Sequence, residues 1–172
     1  GAMDALGLPG PPAGPGRTPL GGLLRRMRRR KDSDEIALLR LCIEAGEAGI
    51  RQARQAALPG SGELEVFLEV QRAAGQRLGF PAPVYGDFRA ATPSHPSPVG
   101  PPGAHILAEG DTLIVDLSVV VACYRCDLAA TIAVGEPTTG QQELLGLCRQ
   151  AMQAGEEALG PGAPASGVYR AV

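Results

Sequence analysis

Two stretches of strict apolar–polar alternation, residues 112–121 and 124–134, follow one another in this sequence and dictate a β-hairpin. In the first, Leu113, Val115, Leu117 and Val119 share one face, and Thr112, Ile114, Asp116 and Ser118 share the other. In the second, Tyr124, Cys126, Leu128, Ala130, Ile132 and Val134 share a face and leave Arg125, Asp127, Ala129, Thr131 and Ala133 opposite. A hairpin centred on residues 121–122 puts both apolar sets on one side and sets Asp116 directly across from Asp127 on the other. A slip of one residue mixes the faces, so the pattern itself selects a register. Val-Ala is not a favoured two-residue hairpin turn, which leaves a longer or bulged connection open.

Side chains opposed in this way have Cβ atoms ~5 Å apart. Two carboxylates at that separation repel by roughly 3 kcal/mol at an effective dielectric near 20. A shared proton, a bound cation or divergence into water relieves that repulsion. Carboxylates bridging two divalent ions ~3.5–4 Å apart suit the spacing. Two solvated aspartates on the polar face of an edge hairpin suit it as well, and the spacing alone does not choose.

The rest of the chain reads as helices and linkers. Of the first 22 residues twelve are Gly or Pro, so residues 1–24 read as a leader or linker, with Gly1-Ala2-Met3 resembling a protease-cleavage scar. Six cations then fall in residues 25–31, leaving ten cations against 18 acids in the remainder; the sharp reading of that run is a nucleic-acid or localisation patch, and the bland one a solvated helix or linker face. Asp32 with Glu35 makes a capping box, and Ile36, Leu39, Ile43, Gly46 and Ile50 predict the core-facing stripe of a first helix that Pro59-Gly60 stops. A second helix is expected over 61–78, with Leu64, Phe67, Leu68, Gln71, Ala74 and Leu78 inward and Gly79 as a left-handed stop. A short strand at 84–88 and a long Pro-rich loop lead to the hairpin. A third helix over 140–159 carries Leu144, Leu147, Cys148, Ala151 and Met152, ends at Gly160-Pro161-Gly162, and is followed by no closing element. With six aromatic rings and no Trp among 172 residues, the core must be built from Leu, Val, Ile and Ala.

Net charge is −2, which gives no global attraction to nucleic acid or an anionic membrane, and no apolar run approaches the ~18 residues of a membrane span. The four cysteines are too few for a disulfide scaffold and, with no export signal, read as reduced thiols in a cytoplasmic protein. Cys123 and Cys126 have the spacing of a redox or zinc motif, but they span a turn and a strand with no second pair, and read as spectators.

The segment Gly110-Asp111-Thr112-Leu113-Ile114-Val115-Asp116-Leu117, with Asp127 eleven positions after Asp116 inside Cys123-Tyr124-Arg125-Cys126-Asp127-Leu128-Ala129-Ala130-Thr131, resembles the metal hairpin of the pita-bread metallopeptidases. These are the methionine aminopeptidases, aminopeptidase P and the Xaa-Pro dipeptidases. Lys31-Asp32-Ser33-Asp34-Glu35-Ile36 resembles the opening of that family's first catalytic helix, Pro59-Gly60 with Glu63 the link between its first two helices, and Gly135-Glu136-Pro137 the close of its second hairpin strand. The likeness spans residues 25–172 and is nearest to the Xaa-Pro branch.

The resemblance implies an α+β fold: helices packed on a curved antiparallel sheet, the N-terminal half of a pita-bread catalytic domain. It implies Asp116 as a terminal metal ligand, Asp127 as the carboxylate bridging two divalent ions (manganese, cobalt or zinc), and His95, in Pro93-Ser94-His95-Pro96, as the catalytic histidine that binds substrate or shuttles a proton. His105 matches no family position and reads as a surface residue. The implied reaction is hydrolysis of the N-terminal Xaa-Pro bond of a peptide, where the metals activate water and polarise the scissile carbonyl. The implied partners are a peptide substrate and a second copy of the chain, with no membrane and no nucleic acid. Three departures stand out. The family's Asp-x-Gly is Asp116-Leu117-Ser118 here, its Gly-Tyr is Cys123-Tyr124, and its Thr-Arg-Thr is Ala129-Ala130-Thr131. A His and two Glu that complete the family's ligand set belong to a C-terminal half that these residues do not include. The alternative is a catalytically incomplete module that binds peptides or proteins.

Overall fold

The computed structural model describes residues 20–92 and 99–172. They fall into two units, one ending at Ile36 and the other Ala37–Val172. Helix α1, Leu20–Arg29, lies in the first. Helix α2, Ser33–Ala56, begins there behind the expected capping box: the Glu35 N–H donates to Asp32 Oδ1 at 3.1 Å and the Asp32 N–H to Glu35 Oε2 at 2.9 Å.

In the second unit an antiparallel sheet is built from β1 (Val84–Ala91), β2 (Thr112–Val121), β3 (Tyr124–Arg125) and β4 (Leu128–Ala133). Strand β2 pairs with β1 on one side and with β3 and β4 on the other. The hairpin is therefore present, but its register differs from the expected one by two residues. It turns on Ala122 and Cys123, at φ 48° and 67°, so that Val121 pairs with Tyr124 and Asp116 with Ala129 rather than with Asp127. Two positive φ values are what a type I′ turn requires, and its twist matches that of the strands well enough to be adopted without Gly or Asn. A shift of two leaves every side chain on its predicted face.

The core lies under Leu113, Val115, Leu117, Val119 and Val121 of β2, covered by α2 and by α3, Glu63–Leu78. The inward stripe of α2 is Cys42, Ala45, Gly46, Gly49 and Ala53, while Ile36 and Ile43 are exposed. The expected stripe holds at Gly46 and at Ile50, which packs against the core, but is otherwise rotated, and the reason is closeness. A Cβ on Gly46 would stand 2.7 Å from Leu128 Cδ1, and one on Gly49 would stand 2.9 Å from Val70 Cγ1. At these two positions the helix lies so near the sheet and α3 that a Cβ would crowd its neighbours. On α3 the buried row is Val66, Val70 and Ala74, with Leu64 and Leu68 exposed and Phe67 packed edge-on against Phe88 of β1 at 5.0 Å. Gly79 ends α3 at φ 77°, its N–H bonded to Gly75 O, as predicted.

Helix α4, Thr139–Ala158, starts on a Thr138–Gln141 capping box. Gln141 Nε2 also donates to Gly110 O and Thr112 Oγ1, tying the helix start to the start of β2. Of the predicted stripe, Leu144, Leu147, Cys148 and Met152 are exposed, and only Gly155 of this helix is buried. Helical periodicity specifies an apolar face but not its cover, and the inner face of the sheet is already filled by α2 and α3. A further short helix, α5, Ala165–Ala171, follows where no closing element was expected, and Val172 beyond it reaches Gly155. No helix among the described residues is long and apolar enough to cross a membrane.

Candidate metal centre on the open face of the sheet

The face of the sheet turned away from the core carries the chemistry. Tyr85 of β1 stands across from Ser118, Asp87 from Asp116 and Arg89 from Ile114; on the other side of β2, Asp116 stands across from Ala129. Asp127 precedes Leu128, the partner of Leu117, and so shares this face one step nearer the turn, diagonal to Asp116. Diagonal positions have Cβ atoms ~7–8 Å apart. Two charges at that distance repel by about 2 kcal/mol at an effective dielectric of 20, less than direct opposition would give. Asp116 is half-buried and Asp127 exposed.

The acid directly opposite Asp116 is Asp87, which sequence reasoning missed. Its position inside the expected strand was legible, but the pairing of β1 with β2 crosses a long loop whose length says nothing about register. Asp87 Oδ1 accepts the Gly100 N–H at 3.0 Å, and the Phe88 N–H donates to Gly100 O at 3.0 Å, so the returning loop is pinned to β1 beside Asp116. Gly86, at φ 151°, allows β1 to lie against the Asp116 peptide; a Cβ there would run into the Asp116 carbonyl oxygen.

A cation completes the face. Arg125 Nη1 donates to Tyr85 Oη at 2.8 Å, bridging β3 to β1 over β2. That bond, with the charge of Asp127 as a smaller contribution, holds the Arg125 guanidinium above its already high ordinary pKa. Arg125 sits two residues from Asp127 on the same face, so it partly offsets the acids there.

Behind this face the connection from β1 to β2 is held by two buried acids. Glu63, in the first turn of α3 and 1% exposed, accepts the Ala90 N–H and the Gly103 N–H, each at 2.7 Å, with Arg89 Nη1 at 3.4 Å. Asp111 Oδ2 accepts the Ala108 N–H at 2.9 Å and pairs with His105 Nε2 at 2.8 Å. His105 is therefore not a bystander on the surface; it braces the strand entrance. Burial pushes the Asp111 carboxyl up, but the His105 bond, the Ala108 N–H and the His105 charge together carry it below the usual value. His95 lies outside the described residues.

The cysteines behave as spectators. Cys126 is buried, its Sγ accepts the Val119 N–H at 3.2 Å, and burial pushes its thiol pKa up despite that bond, away from reactivity. Cys123 is exposed in the turn, and both thiols are free.

Carboxylate oxygens are the donors that hard divalent ions prefer. The open face of the hairpin presents two such donors, Asp116 and Asp127. Among the described residues no group of three or more His, Cys, Asp or Glu is placed to hold a metal.

A model of metallopeptidase family M24 matches residues 37–172. The chain belongs to family M24. An uncharacterized peptidase of Staphylococcus aureus strain USA300 is 28% identical to this M24 chain over 146 residues, covering 82% of the chain but 40% of the relative. Among solved structures, aminopeptidase PepP of Pseudomonas aeruginosa superposes with a TM-score of 0.76 at 20% identity, covering 99% of this chain and 38% of that one. An X-Pro aminopeptidase of Thermotoga maritima gives 0.67 at 21% identity (78% and 37% covered). A Xaa-Pro dipeptidase of Bacillus anthracis gives 0.65 at 24% identity (78% and 38%). These structures share the fold: the M24 chain has the α+β pita-bread architecture, over 37–38% of the length of those proteins. It spans about 40% of the length of the curated relatives it matches.

Proposed function

We propose that this M24 chain is the N-terminal half of the catalytic domain of a metal-dependent exopeptidase that hydrolyses the N-terminal Xaa-Pro bond of peptides in the cytoplasm, working as a homodimer. Asp116 and Asp127 would help to hold two divalent ions, manganese, cobalt or zinc, and His95 would contact the substrate. Oxygen-only donors from this half favour manganese among the three. Bound there, the ions supply Lewis acidity at the scissile carbonyl and lower the pKa of water. The chain's own residues do the positioning. The β2–β4 pairing keeps both aspartates on one face, and Asp87 and Glu63 fix the loop that returns toward β2. Arg125, held by Tyr85, supplies a positive charge next to Asp127.

The observation that carries this reading is the placement of Asp116 and Asp127 on the open face of the β2–β4 hairpin, within a family of metallopeptidases. The departures from the family pattern at Ser118, Cys123 and Ala130 support a second reading, a catalytically incomplete module that binds peptides or proteins. Elemental analysis after dialysis, paired with an assay on Xaa-Pro dipeptides, decides between them. Retained manganese, cobalt or zinc with release of free proline supports the peptidase. No retained metal, with peptide binding intact, assigns the binding module.

A further inference from the structure

The basic run that the peptidase reading leaves unused folds into α1, Leu20–Arg29, and the helix sorts its side chains. At 100° per residue, Leu23, Leu24 and Met27 fall within one arc of roughly 100°. Arg25, Arg26, Arg28 and Arg29 take the remaining arc and flank that row on both sides. Leu23, Leu24 and Met27 are 42%, 51% and 64% exposed. No acid occurs from residue 20 to residue 31, and among the described residues no carboxylate pairs with these arginines. Arg25 Nε donates to Gly21 O and Lys31 Nζ to Arg28 O, both carbonyls of the helix itself.

We propose that α1 is an interfacial anchor that lays its apolar row into the surface of an anionic lipid bilayer. A match for this helix must offer apolar depth beneath the Leu–Met row and negative charge along both margins of it. An anionic bilayer offers both at once, acyl chains below and phosphates at the rim. A nucleic acid offers the phosphates but nothing that would cover Leu23, Leu24 and Met27. Length points the same way. A helix of ten residues is marginal in water, and Gly21 and Gly22 in its first turn weaken it further. Covering its apolar row couples helix formation to binding. The expectation of no membrane rested on span length and on the net charge of the whole chain, and both averages hide this local segregation. The proposal is independent of the peptidase reading.

The test is co-sedimentation of the whole 172-residue chain with vesicles of phosphatidylcholine alone, and with vesicles of phosphatidylcholine mixed with phosphatidylglycerol. The expected result is binding to the mixed vesicles only, a gain of helical circular dichroism on binding, and release by salt. The double variant Leu23→Asp/Met27→Asp should lose about tenfold or more in partitioning. Arg26→Gln/Arg28→Gln/Arg29→Gln should lose as much, and both should keep the melting curve of the parent, since the altered side chains are exposed. Failure to bind mixed vesicles at low salt overturns the proposal. So does unchanged binding by the Leu23/Met27 variant, which would mark plain adsorption of cations. Tighter binding to duplex DNA than to mixed vesicles, insensitive to the Leu23/Met27 variant, overturns it in favour of nucleic acid.

Discussion

Asp87 stands directly opposite Asp116 across β1 and β2, and its Oδ1 holds the Gly100 N–H at 3.0 Å. The two carboxylates repel, while the bond to Gly100 anchors a loop. Asp87→Asn keeps an acceptor and removes the charge, so it should be as stable as the parent or more so. Asp87→Ala also loses the acceptor and should fall about 1–2 kcal/mol below the Asn variant. Urea unfolding of the three proteins measures the difference.

Gly86 is the point where β1 lies closest to the Asp116 peptide. Gly86→Ala combines a strained φ of 151° with overlap against backbone that cannot swing away. The expected loss is about 3 kcal/mol or more, read as a lower unfolding midpoint. It should come with displacement of the Asp116 amide resonance, because the clash lands on that residue.

Glu63 shows how far the loop depends on one side chain. Replacing it by Ala leaves the Ala90 and Gly103 N–H groups without their acceptor and should cost about 3–5 kcal/mol. Glu63→Gln retains one acceptor oxygen and should cost less. Equal losses in the two variants would show that the volume of the side chain matters and its hydrogen bonds do not.

The Asp111–His105 pair sets part of the acid limb of stability. The folded-state pKa of Asp111 is lowered, so its stabilisation is fully present above the ordinary carboxylate pKa of ~3.9 and is lost as the pH falls below that through the lower folded value. Asp111→Asn should therefore flatten the pH dependence of unfolding below about pH 4. A steeper acid limb in the variant would contradict the sign.

Much of this was legible in the sequence, for reasons that differ by element. The alternation of 112–134 fixed which side chains share a face, because the period of two survives a register shift of two; it could not fix the partner of Asp116, because that depends on turn geometry at Ala122 and Cys123. Capping at Asp32 and the stop at Gly79 are local chemistry and were readable. On the inner face of α2 Gly46 was readable but Ala45 and Gly49 were not, because they carry little hydrophobic signal and owe their burial to how closely the sheet and α3 approach. Asp87, Glu63 and His105 act through contacts over long stretches of chain or across a loop, where spacing in sequence carries no geometry. The Leu144–Met152 row of α4 was readable as apolar but not as exposed.

The central claim is that Asp116 and Asp127 offer a common site to a divalent ion. Titration of manganese into the isotopically labelled chain, followed by paramagnetic broadening of amide resonances, addresses it even when binding is weak. The account predicts that the amides around Asp116 on β2 and around Asp127 at the start of β4 broaden first, and that Asp127→Asn abolishes this selectivity. Broadening that begins at the acids of α4, or that is the same in the parent and in Asp127→Asn, would contradict it.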